Sequence, residues 1–272
     1  RLIDVDTDLL IAITRQFLSS NSPHTKIVLM SATMDSNQLM EFFKIPSHED
    51  LPPIINIGDE TRRFPIEIQY LEEVEKLGKE RGKDIINYEK PGISECMYKL
   101  AVRFVSLLLY PAVAKESSRN ITVLVFLPGI HEIETFKKLL SAEVIVGTKD
   151  QATIHILHSM LSTEDQKKAF ATGSGSQVIL STNISESSVT IPNVTFIVDF
   201  CLTKYNGKVG GSHMSSLITE WATQNNCTQR AGRTGRIKQG IVYRLVHQSF
   251  YEKRMKKFPK PEILSIPLES VI

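Results

Sequence analysis

An α/β fold around a parallel sheet is what this sequence predicts, and two observations carry the prediction. Short apolar runs rich in β-branched residues recur along the chain, each ending in polar or turn residues. Between them lie segments whose apolar residues repeat at the helical period. Strand and helix candidates therefore alternate, which favours helices on a parallel sheet over a sandwich or a bundle. With 272 residues, 42% of them hydrophobic and 23% charged, the chain can bury one large core or two smaller ones.

The first element, Lys26–Met30, is a continuous apolar strand candidate running into Ser31, Ala32 and Thr33. Asp35–Phe43 has helical spacing. Ile45–Pro65 then holds four prolines and little periodicity, which marks a domain boundary near residue 65. Leu71–Glu95 is charged and contains Gly78, Gly82, Pro91 and Gly92, so a surface insertion or linker without chemistry is expected there. Thr122–Phe126, Thr153–Leu157, Val178–Leu180 and Thr195–Val198 are the next strand candidates. Ile130, Ile133, Phe136, Leu139 and Leu140 give a helix after the Pro128-Gly129 turn. Tyr205–Ile218, with Asn206-Gly207 and Gly210-Gly211, reads as a β-hairpin.

Chemistry concentrates in Gln229-Arg230-Ala231-Gly232-Arg233-Thr234-Gly235-Arg236, three arginines at three-residue spacing among small residues. Arginine stays charged at any working pH and offers a fork of donors matched to phosphate oxygens, while Gly232 and Gly235 let backbone approach a ligand. An isolated run of this kind is as readily a solvated basic turn. Ser181–Ser188, dense in hydroxyls and following a strand, suits either a helix cap or neutral contacts to a phosphate backbone.

Taken in order, Ser31-Ala32-Thr33, Phe126-Leu127-Pro128-Gly129, Ser181–Ser188 and Gln229–Arg236 resemble motifs III, IV, V and VI of the DEAH-box RNA helicases. The resemblance spans nearly the whole chain. It implies a RecA-like fold, with the C-terminal part of a first RecA-like domain over 1–65, a complete second one over 66–260, and an exit toward a winged-helix domain over 261–272. It also implies that Gln229, Arg233 and Arg236 contact nucleotide phosphates, the two arginines as arginine fingers, and that Phe170 stacks on adenine. Gly129, His158, Ser159 and Thr182 become RNA contacts, and Ser31, Ala32 and Thr33 couple nucleotide state to domain motion. Bland readings stand beside these: Phe170 as core, His158 as structural, Arg230 as a partner for internal carboxylates. Ile191-Pro192-Asn193 departs from the family, many of whose members carry a sugar-binding aspartate there. Trp221-Ala222 with Asn226-Cys227 is closer to the tudor-domain helicases of the piRNA pathway, the spindle-E type.

The sequence holds no Gly-x-x-x-x-Gly-Lys-Ser/Thr loop and no Asp-Glu-x-His box. The resemblance therefore places the magnesium ligands outside this chain, which by itself is expected not to hydrolyse ATP. Implied cofactors are ATP and magnesium; the implied partner is single-stranded RNA, with piRNA-pathway proteins beyond it. A non-catalytic RNA-binding scaffold is the alternative. A net charge of +2 neither supports nor excludes nucleic acid. Cys96, Cys201 and Cys227 are odd in number and lack Cys-x-x-Cys spacing, so reduced structural thiols are expected, with no disulfide-linked partner and no zinc site. Without an apolar run of membrane-spanning length, a cytoplasmic or nuclear location is expected.

Overall fold

The computed structural model describes residues 5–20, 25–30, 36–44, 52–56, 64–78, 86–109, 121–144, 152–158, 175–187, 191–208 and 215–259. Their elements run α1 (Val5–Ser20), α2 (Ser36–Phe42), β1 (Ile66–Gln69), α3 (Leu71–Gly78), α4 (Glu95–Leu108), β2 (Thr122–Phe126), α5 (Ile130–Val144) and β3 (Thr153–Leu157). They continue with β4 (Gln177–Ser181), α6 (Ile184–Ser187), β5 (Val194–Asp199), β6 (Leu202–Lys208), β7 (Ser215–Trp221), α7 (Gln224–Ala231), β8 (Gly240–Arg244) and α8 (Gln248–Lys253). The chain divides into two compact units, one of residues 1–61, 206–216 and 259–272, the other of residues 62–205 and 217–258.

In the first unit, α1 and α2 meet where the Arg15 guanidinium lies 4.8 Å over the Phe42 ring. The strand expected at Lys26–Met30 does not form: these residues have no regular secondary structure, with Val28 77% and Met30 88% exposed. An apolar run becomes a strand only when neighbours take up its backbone N–H and C=O groups, and no described strand flanks this one. Sequence reasoning scored its apolarity and had no means to score its partners.

The second unit carries a six-stranded sheet in the order β1-β8-β5-β2-β4-β3, parallel at every pairing. This is the parallel α/β sheet that the sequence predicts, in the RecA-like form that the resemblance implies. Successive residues of a strand point to opposite faces, and the central strands are buried on both. Val123, Val125, Val178, Leu180, Phe196 and Val198 point into one cluster with α3, α4 and α5, through Leu71, Leu100, Phe104, Ile133 and Phe136. Leu124, Phe126, Ile179, Ile197 and Val242 point into the other, closed by Ile184 of α6 and Ala231 of α7. Helix α4 starts at Ser94, whose Oγ accepts from the Met97 amide at 3.1 Å.

Two expectations need revision here. Leu71–Glu95 is not a loose insertion throughout: α3 buries Leu71 and Val74 fully, and Tyr88 stacks on Phe250 with ring centroids 4.0 Å apart. Within α3 the charged Glu72, Glu73, Glu75 and Lys76 stand beside the buried Leu71 and Val74, so composition alone misleads there; residues 79–85 lie outside the described residues. The hairpin forms from β6 and β7, but Asn206-Gly207 lies inside β6 rather than at a turn. β3 is an edge strand and is only partly buried.

Candidate nucleotide and nucleic-acid interface

In a parallel sheet, ligand-binding residues collect beyond the carboxyl ends of the strands. Here β2, β4 and β3 are neighbours, with Phe126, Ser181 and Leu157 in register at that end. The backbone continues the ladder one step further: Leu127 N–H donates to Ser181 C=O at 2.8 Å, and Thr182 N–H to Leu157 C=O at 3.3 Å. This brings Gly129, Thr182 and His158 to three adjacent strand ends. Thr182 is only 4% exposed, while Asn183 beside it faces solvent. A side chain at Gly129 would strike Lys204 and Glu132, whose ion pair at 2.7 Å crosses over it. Ser31, Ala32, Thr33, Ser159 and Phe170 lie outside the described residues.

The arginine run divides in three. Helix α7 begins at Thr223, whose side chain accepts from the Asn226 amide while the Asn226 side chain accepts from Thr223 N–H. It ends at Gly232, so Gln229 and Arg230 are helical and Arg233 and Arg236 lie in the turn beyond. Arg230 is 2% exposed: Nη1 donates to Asp199 Oδ1 at 2.8 Å, Nε to Glu186 Oε2 at 3.2 Å, and Nη2 to Leu202 C=O at 3.2 Å. Burial alone would push this guanidinium down, but Asp199 and Glu186 outweigh it and hold Arg230 above its ordinary value. Arg233 is half-buried and Nη2 donates to the Glu186 carbonyl. Its guanidinium is pushed down, first by burial and then by the nearby charge of Arg236, with Glu186 opposing. Arg236 is exposed and Gln229 half-buried.

Gly235 explains why the turn takes this path. Its φ is +73°, and a Cβ there would come within 2.6 Å of Ile66 Cγ1, so glycine alone lets the loop lie against β1. Behind it, the Thr234 hydroxyl donates to Val194 C=O at 2.6 Å. Asn193, in the turn where the family pattern is broken, has φ 58°.

The carboxylates that hold Arg230 were not found from sequence. Asn226 and Arg230, at i and i+4 on one face of α7, and Arg233 in the turn beyond it all meet Glu186. Cys201 and Cys227, remote in sequence, are both buried with Asp199, and their ligand atoms lie within 4.8 Å of one another. Two thiols and a carboxylate already engaged by Arg230 do not suit magnesium, which requires oxygen ligands in octahedral array. Burial raises the Cys201 thiol well above its ordinary value.

Residues 102–238 match the family described as the helicase conserved C-terminal domain. The chain belongs to that family. Across 99% of its length this helicase domain is similar to proteins named probable ATP-dependent RNA helicase spindle-E, 43% identical in Aedes aegypti, 40% in Anopheles gambiae and 34% in Drosophila melanogaster. It spans about a fifth of those relatives, 20% of the first. The solved structure of the Escherichia coli DExH-box NTPase HrpB is 27% identical with a TM-score of 0.73, over 99% of this chain and 29% of that one. Resemblance to DEAH-box RNA helicases, drawn above from four motifs, thus agrees with both sequence and structural relatives. Among the described residues no helix is long and apolar enough to cross a membrane.

Proposed function

We propose that this chain is the second RecA-like domain, with the C-terminal part of the first over 1–65, of an ATP-dependent RNA helicase that moves on or remodels single-stranded RNA. Gln229, Arg233 and Arg236 contact the phosphates of ATP, and the arginines stabilise charge as the γ-phosphoryl group is transferred to water. The observation that carries this reading is the division of the arginine run. Arg230 is consumed by two internal carboxylates, whereas Arg236 is exposed and the half-buried Arg233 donates to a backbone carbonyl and to neither carboxylate.

Magnesium, bound by residues outside this chain, would neutralise charge on the β- and γ-phosphates. Gly129, His158, Ser159 and Thr182 contact the RNA backbone, a reading supported by the meeting of three of them at adjacent strand ends. Hydrogen bonds to phosphate and sugar position RNA without reading its bases. Phe170 stacks on adenine, and Ser31, Ala32 and Thr33 couple nucleotide state to domain motion. The motif resemblance to the piRNA-pathway helicases is the ground for proposing piRNA-pathway partners and a cytoplasmic or nuclear site of action.

The test uses the full-length protein. Arg236→Ala should abolish most RNA-stimulated ATP hydrolysis while ATP and RNA still bind, and Thr182→Ala should weaken RNA binding with basal hydrolysis largely kept. Hydrolysis by Arg236→Ala within about twofold of wild type would remove the arginine-finger assignment. RNA binding without hydrolysis by the unaltered protein would favour a scaffold.

A further inference from the structure

We propose that Glu186 is a positioning residue that joins the strand end at Thr182 to the phosphate-facing arginines, its side chain accepting from Asn226 and Arg230 and its backbone carbonyl from Arg233. This rests on the reading of Arg233 and Arg236 given above.

Glu186 is 4% exposed and sits four residues beyond Thr182. The segment between them is held by local hydrogen bonds. Ser181 Oγ donates to Thr182 C=O at 2.9 Å, Ser181 and Ser185 share a hydroxyl hydrogen bond of 2.5 Å, and Glu186 N–H donates to Asn183 C=O at 2.8 Å. On the far side, Glu186 Oε1 accepts from Asn226 Nδ2 at 2.5 Å and Oε2 from Arg230 Nε at 3.2 Å. Asn226 and Arg230 lie on one face of α7 and Arg233 in the turn that follows it, so Glu186 sets the rotation of α7 and the direction in which the chain leaves it toward Arg236. A displacement at Thr182 therefore carries Arg233 with it. Burying a carboxylate is costly unless its oxygens are occupied, and here both have donors. Glutamine cannot replace it: one amide atom accepts, while the other would point a donor at a donor. Aspartate is one methylene too short to span the same gap.

The decisive measurement is steady-state ATP hydrolysis by the full-length protein, with and without RNA, beside Arg236→Ala as reference. Glu186→Gln should lower RNA-stimulated kcat by about tenfold with KM for ATP and Kd for RNA each within about twofold. If Glu186→Gln does not fold, Asn226→Asp decides. Aspartate keeps the oxygen that accepts from Thr223 but replaces the donor to Glu186 with a second carboxylate. Two carboxylates at this distance share a proton, so the variant should be impaired near pH 8 and recover toward wild type as the pH falls to about 6. Arg230 and Arg233 from the same run and, across Arg230, Asp199 and Cys227 are the other charged or titratable groups facing the pair. A variant damaged only in packing would not recover.

Wild-type kcat and RNA stimulation in Glu186→Gln, or in Asn226→Asp at every pH, would overturn the role of Glu186 while an inactive Arg236→Ala leaves the phosphate reading intact. An active Arg236→Ala would remove both.

Discussion

Arg230 and Arg236 are the same residue six positions apart, and they sit in opposite surroundings. Arg230 is sealed beneath α7 by Asp199 and Glu186, with its guanidinium 5.2 Å from the Phe126 ring, whereas Arg236 stands in solvent beyond the end of the helix. The difference comes from the small residues between them. Gly232 ends the helix and Gly235 turns the chain through a left-handed conformation onto β1, so what would have been one arginine stripe becomes a buried anchor and an exposed end. One basic motif thus holds a buried, ion-paired arginine at one end and an exposed arginine at the other.

The sharpest way to break the comparison is to remove each arginine in turn. In the full-length protein Arg236→Ala should lower RNA-stimulated hydrolysis by roughly 10³-fold or more, the scale of a lost arginine finger, with thermal unfolding almost unchanged. Arg230→Met should show the reverse priority. It leaves two buried carboxylates without their cation and should cost about 3–5 kcal/mol, read by denaturant unfolding of the chain. Equal losses of stability from the two substitutions would erase the distinction.

A smaller effect is expected at the hinge between them. Gly235→Ala forces a Cβ into a left-handed residue and onto Ile66, which should cost about 1–3 kcal/mol and displace Arg236. If unfolding is unchanged, the turn is not held by β1. The same contrast of buried and open positions can be read in the thiols: in the native chain iodoacetamide should label Cys96 and spare Cys201 and Cys227, while unfolded chain labels at all three, as counted by mass spectrometry. The smallest effect concerns His155 on β3. Burial lowers its folded value below the ordinary 6.5, so the unfolded chain binds the proton more readily. Its contribution to stability is therefore present above pH 6.5 and lost as the pH falls through the lower folded value. His155→Gln should flatten that acid-side decline slightly in unfolding curves.

Much of this was legible in advance, and the failures are instructive. Thr122–Phe126 and Lys26–Met30 read alike as apolar strands, yet the first lies between β4 and β5 and is wholly buried, while the second has no partner among the described residues. Periodicity reports what a segment could bury; pairing depends on residues elsewhere in the chain. The strand ends at Gly129, His158 and Thr182 could be placed because each follows a run of strand-forming residues. The carboxylates of Arg230 could not, since Glu186 and Asp199 lie 44 and 31 residues away and only the sheet brings them to one point. Leu71–Gly78 was obscured for another reason: composition averages over a helix whose two faces differ, so the fully buried Leu71 and Val74 were hidden by their charged neighbours.

The edge strand β3 has a consequence for how this domain behaves in bulk. Thr153–Leu157 pairs with β4 on one side only, and among the described strands none covers the other. Its five residues, Thr-Ile-His-Ile-Leu, include no lysine, no acid and no proline, the usual means of discouraging a second chain from adding to a sheet. Of the two edges of the described sheet, β1 carries Glu67 and β3 carries no charge, so intermolecular strand pairing is expected first at β3. A single lysine at the exposed Thr153 should raise the concentration at which light scattering first appears, without touching the arginines.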